Sequence, residues 1–187
     1  GSTDKTKYIL DQQDKIKIIN NPYNRGKGYS LIAGIKLAAN ENIILMDGDL
    51  EIDISCIEDL IKKFELLKGH VVVGNRWINN INNKYDINTF GNHFLNQIFN
   101  LLYKTDLNDI LCCAKVLKKR LLSSLNLDSN RFSIEAEIMS KLALNETKVT
   151  EVGIHYIRRT HAQGKKLKIS DGWKILLRIM KVRFGIR

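Results

Sequence analysis

The sequence holds a single proline, Pro22, in 187 residues, and no stretch rich in proline, glycine or serine. No flexible tether between domains is written into it, and no internal repeat or low-complexity tract stands in for one. No run approaches the ~18 consecutive apolar residues that a membrane-crossing helix requires. The opening GSTDKTKYIL shows neither an initiator methionine nor the apolar core of a signal peptide. Cysteine is sparse as well: Cys56, Cys112 and Cys113 are the three present, two of them adjacent. That spacing suits neither a disulfide framework nor a zinc site, and reads as reduced, buried thiols in a cytoplasmic protein.

Acidic residues are nearly missing from one end. Residues 158–187 carry ten lysines and arginines against one acid, Asp171, whereas the preceding 157 residues hold twenty basic residues against nineteen acids. A near-neutral body with a strongly basic tail points to a polyanionic partner, an anionic membrane or a nucleic acid. No stacking-aromatic motif or zinc spacing supports nucleic acid, so none is expected. What remains is ordinary for a globular domain, 44% hydrophobic and 27% charged, in a chain long enough for one sizeable core.

Periodicity predicts a short helix over 4–13, an alternating strand over 15–20 (KIKIIN), a helix over 29–39 and an apolar strand over 42–46. A helix over 54–67 and a buried strand at 71–73 follow, then helices over 89–103, 133–144 and 171–184, with a strand over 148–158. Alternating strands and helices imply an α/β fold with mostly parallel strands. The expected division is a main domain over 1–160 and a basic amphipathic segment over 161–187. In that segment Trp173, Leu176, Leu177, Met180 and Phe184 share one helical stripe, beside Lys174, Arg178 and Lys181. Such a helix either lies on a membrane surface or docks on the domain.

The densest chemistry is DGDLEID, where Asp47, Asp49, Glu51 and Asp53 alternate just past an apolar strand. Four carboxylates so close repel strongly wherever water is excluded, and a hard divalent cation relieves that. A calcium loop of the EF-hand kind is a rival, but its obligatory sixth-position glycine is Ile52 here. The readings left are a solvated loop of acids and an Asp-x-Asp site that grips a nucleotide diphosphate through Mg²⁺ or Mn²⁺, at the strand end where ligands of parallel sheets gather. Arg25-Gly26-Lys27-Gly28 lacks the spacing of a nucleoside-triphosphatase loop.

Taken in order, Gly1-Ser2-Thr3-Asp4, Asn24-Arg25-Gly26-Lys27-Gly28 and Asp47-Gly48-Asp49 resemble the motifs of family-2 glycosyltransferases of the nucleotide-sugar-binding GT-A (Rossmann-like) fold. The branch they resemble is the dolichyl-phosphate mannosyltransferase-like one, the polyprenyl-phosphate sugar transferases. VVVGNR (71–76), NDILCCAKVL (108–117), FSIEAEI (132–138), EVGIHYIRR (151–159) and GKKLKISDGW (164–173) continue the likeness across nearly the whole chain.

The resemblance implies an inverting, metal-dependent transfer of a hexose from a GDP- or UDP-linked donor to a dolichyl or undecaprenyl phosphate, at the cytoplasmic membrane face. It implies Asp47, Asp49 and Glu51 as metal ligands, with Asp4, Lys27, Asp47 and Asp49 on the donor. Asp49, Arg76, Arg159 and Lys165 become the catalytic and phosphate-clamping groups, and Asp109 and Glu137 acidic positions of the acceptor half that touch substrate or buttress basic residues. Residues 165–187 would meet the anionic membrane. The chain begins inside the first motif, so the leading strand is expected to be missing, which leaves a catalytically inert scaffold of the same fold as the alternative. Gly153 replaces a usual proline, and the helix at 89–103 lacks an arginine that many relatives carry.

Overall fold

The computed structural model describes residues 1–78, 87–159 and 169–186. In chain order the elements are α1 (Thr6–Leu10), α2 (Lys27–Leu37), β1 (Asn42–Leu45), α3 (Cys56–Leu66), β2 (Val71–Asn75) and α4 (Ile87–Tyr103). They continue as β3 (Lys115–Lys118), α5 (Lys119–Ser124), α6 (Ile134–Leu144), β4 (Val149–Gly153) and α7 (Ile169–Phe184).

The strands form one sheet in the order β1-β3-β2-β4. β2 and β4 pair in parallel, while β3 runs antiparallel to both β1 and β2. Three strands therefore point one way, as expected, but only one neighbouring pair is parallel. β3 lies between β1 and β2. The strand expected at 15–20 is also absent. Ile16 and Ile19 are exposed, and no described strand offers that segment a ladder. Alternation makes a ribbon amphipathic, but only pairing makes it a strand.

The centre of the sheet is Val71, Val72 and Val73, at most 1% exposed and buried on both faces. Each such side chain contributes about 1.5–3 kcal/mol on burial. Val71 and Val73 turn to a core built with α2, α4, α6 and α7, and Val72 turns to the other face, under α3. On α3, Cys56, Leu60 and Phe64 recur every fourth residue and are buried, with Glu58 and Asp59 in the first turn where the helix dipole favours acids.

α6 is buried nearly all round, from Ile134 through Ser140, and so carries two interior carboxylates, Glu135 and Glu137, that need partners. α7 packs on α4 and α6 through Ile175 and Ile179, and the Tyr103 hydroxyl donates to the Ile179 carbonyl at 2.9 Å. Of the stripe singled out from the sequence, Leu176 packs against the core while most of the rest faces outward. Trp173, Leu177 and Phe184 stay 67%, 56% and 59% exposed, so the helix docks and still shows an apolar stripe outward. No helix among the described residues is long and apolar enough to cross a membrane.

Candidate active site

β1, β2 and β4 end at one rim of the sheet, and the residues just beyond them build the site. After β1 the chain turns through Leu50, which takes a positive φ of 63° and points its side chain to solvent. This turn lets Asp49 accept a hydrogen bond from the Glu51 N–H at 3.1 Å. The acidic loop is then zipped to the segment after β4. The Ile157 N–H donates to the Glu51 carbonyl (2.8 Å), and the Asp53 N–H to that of His155 (3.2 Å). Arg159 is thereby delivered onto the acids, its guanidinium 2.7 Å from Asp49 Oδ2 and 3.5 Å from Glu51 Oε1.

Lys27 arrives from the opposite side, at the start of α2. Its two flanking glycines act by packing against protein. A Cβ on Gly28 would lie 1.9 Å from the Ser129 carbonyl oxygen, and one on Gly26 2.3 Å from that of Asn130, with Gly26 at φ 92°. Held there, Lys27 Nζ sits 2.8 Å from Asp47 Oδ2 and 2.8 Å from Glu135 Oε1. Behind Glu135 lies Lys115, wholly buried, whose ammonium contacts Glu135 Oε2 and the Cys112 carbonyl. Burial works against the charge on Lys27, but Glu135 and Asp47 outweigh it and hold its pKa above the ordinary lysine value. Burial likewise works against the Glu135 carboxylate, yet Lys115 and Lys27 bring its pKa down to about 2.

Arg76 follows β2 and is fixed by Asp109. Its Nε and Nη2 donate to the two Asp109 oxygens at 2.8 and 2.6 Å, and its backbone N–H donates as well, at 2.9 Å. Burial penalises the guanidinium, and the facing carboxylate more than compensates. Glu151 on β4 accepts from the backbone N–H groups of Asn108 and Asp109, which sets the Asp109 loop.

A cavity of about 530 Å³ gathers Asp4, Lys27, Asp47, Asp49, Glu51, Arg76 and Arg159, together with Glu135, Tyr156 and Arg158. Arg158 and Tyr156 were not marked as site residues from the sequence, although both lie in the EVGIHYIRR run. Two acids from the acceptor-side set do not line the cavity. Asp109 is buried behind Arg76. Glu137 is wholly buried and receives Lys141, Arg178 and the N–H groups of Asp128 and Ser129, a buttress under α7. Lys165 lies outside the described residues.

Glu51 is heavily engaged, accepting from the Tyr156 hydroxyl (2.9 Å) and the Arg159 N–H (3.1 Å). Among the described residues no three acidic, histidine or cysteine side chains converge as a metal cage. Asp47 and Asp49 still offer hard oxygens at one strand end, the donor set of a cation that draws its remaining ligands from phosphate and water. A second, apolar cavity of about 350 Å³, lined by Phe90, Phe94, Trp173 and Leu176, lies between α4 and α7. It shares Asn88, Asn92 and Ile175 with the charged one.

A dolichyl-phosphate beta-glucosyltransferase of Trichomonas vaginalis is 25% identical over 198 residues, covering 97% of this chain and 59% of that protein. The dodecaprenyl-phosphate galacturonate synthase of Rhizobium johnstonii is 24% identical over 194 residues, covering 100% of this chain and 56% of its own length. The chain thus spans little more than half the length of these curated relatives. Among solved structures, glucosyl-3-phosphoglycerate synthase of Mycobacterium tuberculosis, crystallised with Mn²⁺, uridine diphosphate and phosphoglyceric acid, superposes with a TM-score of 0.69. That match has 15% identity and covers 100% of this chain and 66% of the other, a likeness of GT-A fold. The sequence pattern of glycosyl transferase family 2 matches residues 1–125, well over half the chain, and the chain belongs to that family.

Proposed function

We propose that this chain is the catalytic portion of an inverting hexosyltransferase that moves a sugar from a nucleoside diphosphate, GDP or UDP, to the phosphate of a polyprenyl lipid. One observation carries the reading: the charged cavity with Asp47 and Asp49 facing Lys27, Arg76, Arg158 and Arg159 opens beside the apolar cleft between α4 and α7. Diphosphate and lipid-phosphate chemistry need the first, and a hydrocarbon tail needs the second. Asp47 and Asp49 would hold Mg²⁺ or Mn²⁺, which when bound offsets charge on the departing diphosphate. The attacking lipid phosphate is already an anion at neutral pH, so no strong general base is required. The work left to the protein is orientation and charge neutralisation, supplied by arginines held rigid by carboxylates, as Asp109 holds Arg76.

The test is thermal stabilisation of the full-length protein. UDP-glucose or GDP-mannose with Mn²⁺ should raise Tm in a dose-dependent way, and neither sugar nucleotide should do so in chelator. Equal stabilisation by ATP or RNA, or indifference to the metal, would sink the reading.

The outward stripe of α7 supports a peripheral membrane contact as part of the same function, with α7 as the membrane-facing element. Trp173, Leu177 and Phe184 are exposed there, with Phe90 of α4 73% exposed nearby and Lys174 and Lys181 alongside. Buried apolar area and lysines near anionic headgroups act together in such helices. Trp173→Ser combined with Leu177→Ser should weaken co-sedimentation with phosphatidylglycerol-containing vesicles by at least roughly tenfold, since each side chain contributes about 2 kcal/mol when taken from water. Nucleotide binding should be untouched. Equal sedimentation by the variant removes α7 from the contact.

A further inference from the structure

Both carboxylates suited to the divalent cation are already ion-paired to cations of the chain itself. Lys27 Nζ is 2.8 Å from Asp47 Oδ2, and the Arg159 guanidinium is 2.7 Å from Asp49 Oδ2. Each of these cations is also tethered by a second carboxylate. Glu135, pinned by the buried Lys115, holds Lys27 at 2.8 Å. Glu51, pinned by the Tyr156 hydroxyl, accepts from the Arg159 N–H and lies 3.5 Å from its Nε. The tethers keep both cations at the lip of the cavity whether or not they touch Asp47 and Asp49.

We infer that Lys27 and Arg159 are resident counter-ions of Asp47 and Asp49, which a divalent cation must displace, and that the donor's diphosphate is the partner to which they transfer. The inference rests on the proposed donor site. Metal alone trades one ion pair for another and gains little. Metal with a diphosphate gives every charge a partner: the carboxylates take the metal, and the two cations take the phosphate oxygens. Loading is then strongly coupled, and by linkage the nucleotide must raise metal affinity by the factor by which metal raises nucleotide affinity. Glu135 is a positioning residue in this scheme: paired with Lys115 and Lys27, it fixes how far Lys27 can retreat.

The measurement is Mn²⁺ binding followed by the electron paramagnetic resonance signal of the free ion, with and without UDP or GDP, on the full-length protein. Wild type should bind bare Mn²⁺ weakly and bind it at least roughly tenfold more tightly with the nucleoside diphosphate. Lys27→Met should bind bare Mn²⁺ roughly tenfold more tightly than wild type, and should lose most of the enhancement by nucleotide. Lys27→Arg, which keeps the cation, should restore the wild-type pattern. Arg159→Met carries the same expectation at Asp49, and decides the matter if Lys27→Met does not fold. Bare-metal affinity that is unchanged or weaker in the folded methionine variants overturns the counter-ion role while leaving the donor site standing. No Mn²⁺ binding by wild type, even with either nucleotide, overturns both.

Discussion

Asp49→Asn should abolish metal-dependent binding of the sugar nucleotide and lower turnover by at least 10²–10³-fold, the order expected when a preorganised charge contact at the transition state is removed. The amide keeps the size of the carboxylate and keeps an oxygen for the Glu51 N–H, now 3.1 Å from Asp49 Oδ1. It loses the charge that a hard cation seeks and the ion pair to Arg159. Stability should move by less than about 1 kcal/mol, because Asp49 and Arg159 are 28% and 34% exposed and water screens the pair. Calorimetric titration with UDP-glucose and Mn²⁺ reads the first effect, and urea unfolding the second. Retained metal-dependent heat would remove Asp49 from the site.

Glu135→Gln should cost about 3–5 kcal/mol at neutral pH, since it strands the Lys115 ammonium inside the protein with no counter-charge. Lys115 is 0% and Glu135 6% exposed, so water cannot take over the role. The pH dependence has a definite sign. Glu135 has its pKa lowered from an ordinary 4.5 to about 2 on folding, chiefly by Lys115 and Lys27 acting against burial. Its contribution is complete above pH 4.5 and is lost as pH falls from 4.5 towards 2. The gap between wild type and variant in urea unfolding should therefore be full at pH 7 and close across that acid window. Replacing both partners, Lys115→Met with Glu135→Leu, should cost less than Glu135→Gln alone, because no unpaired buried charge remains. A constant gap at every pH would mean that the carboxylate's charge is not what matters.

The acidic loop was legible in the sequence because a local pattern marks it, an apolar run that ends in charge, whereas the arginines after β2 and β4 were implied only by the family resemblance. The partners of those arginines were marked by neither. Asp109 meets Arg76 across 33 residues and Glu51 meets Arg159 across 108, and nothing in spacing reveals contacts at such range. β3 escaped notice because KVLK is four residues long and begins with a lysine that is buried only because Glu135 waits for it. KIKIIN showed the reverse fault, a strand-like alternation with no strand beside it. α7 carries two apolar stripes, Ile175 with Ile179 and Trp173 with Leu177, Met180 and Phe184. Choosing the docked one requires knowing what α4 and α6 present to it.

The reversed direction of β3 has a consequence for how the cavity is floored. Lys115 lies opposite Leu45 and Val73 in the ladder, so β3 enters the sheet at the same rim where β1 and β2 leave it. A sheet running wholly one way would furnish that rim with outgoing chain only. Here an incoming stretch, Asp109 through Lys115, is threaded between two outgoing ones, and brings one anchor of each sign: an anion behind Arg76 and a cation behind Glu135. The scaffold of opposite charges beneath the cavity is in this sense a product of topology, laid down by six consecutive peptide bonds and not by loops converging from afar.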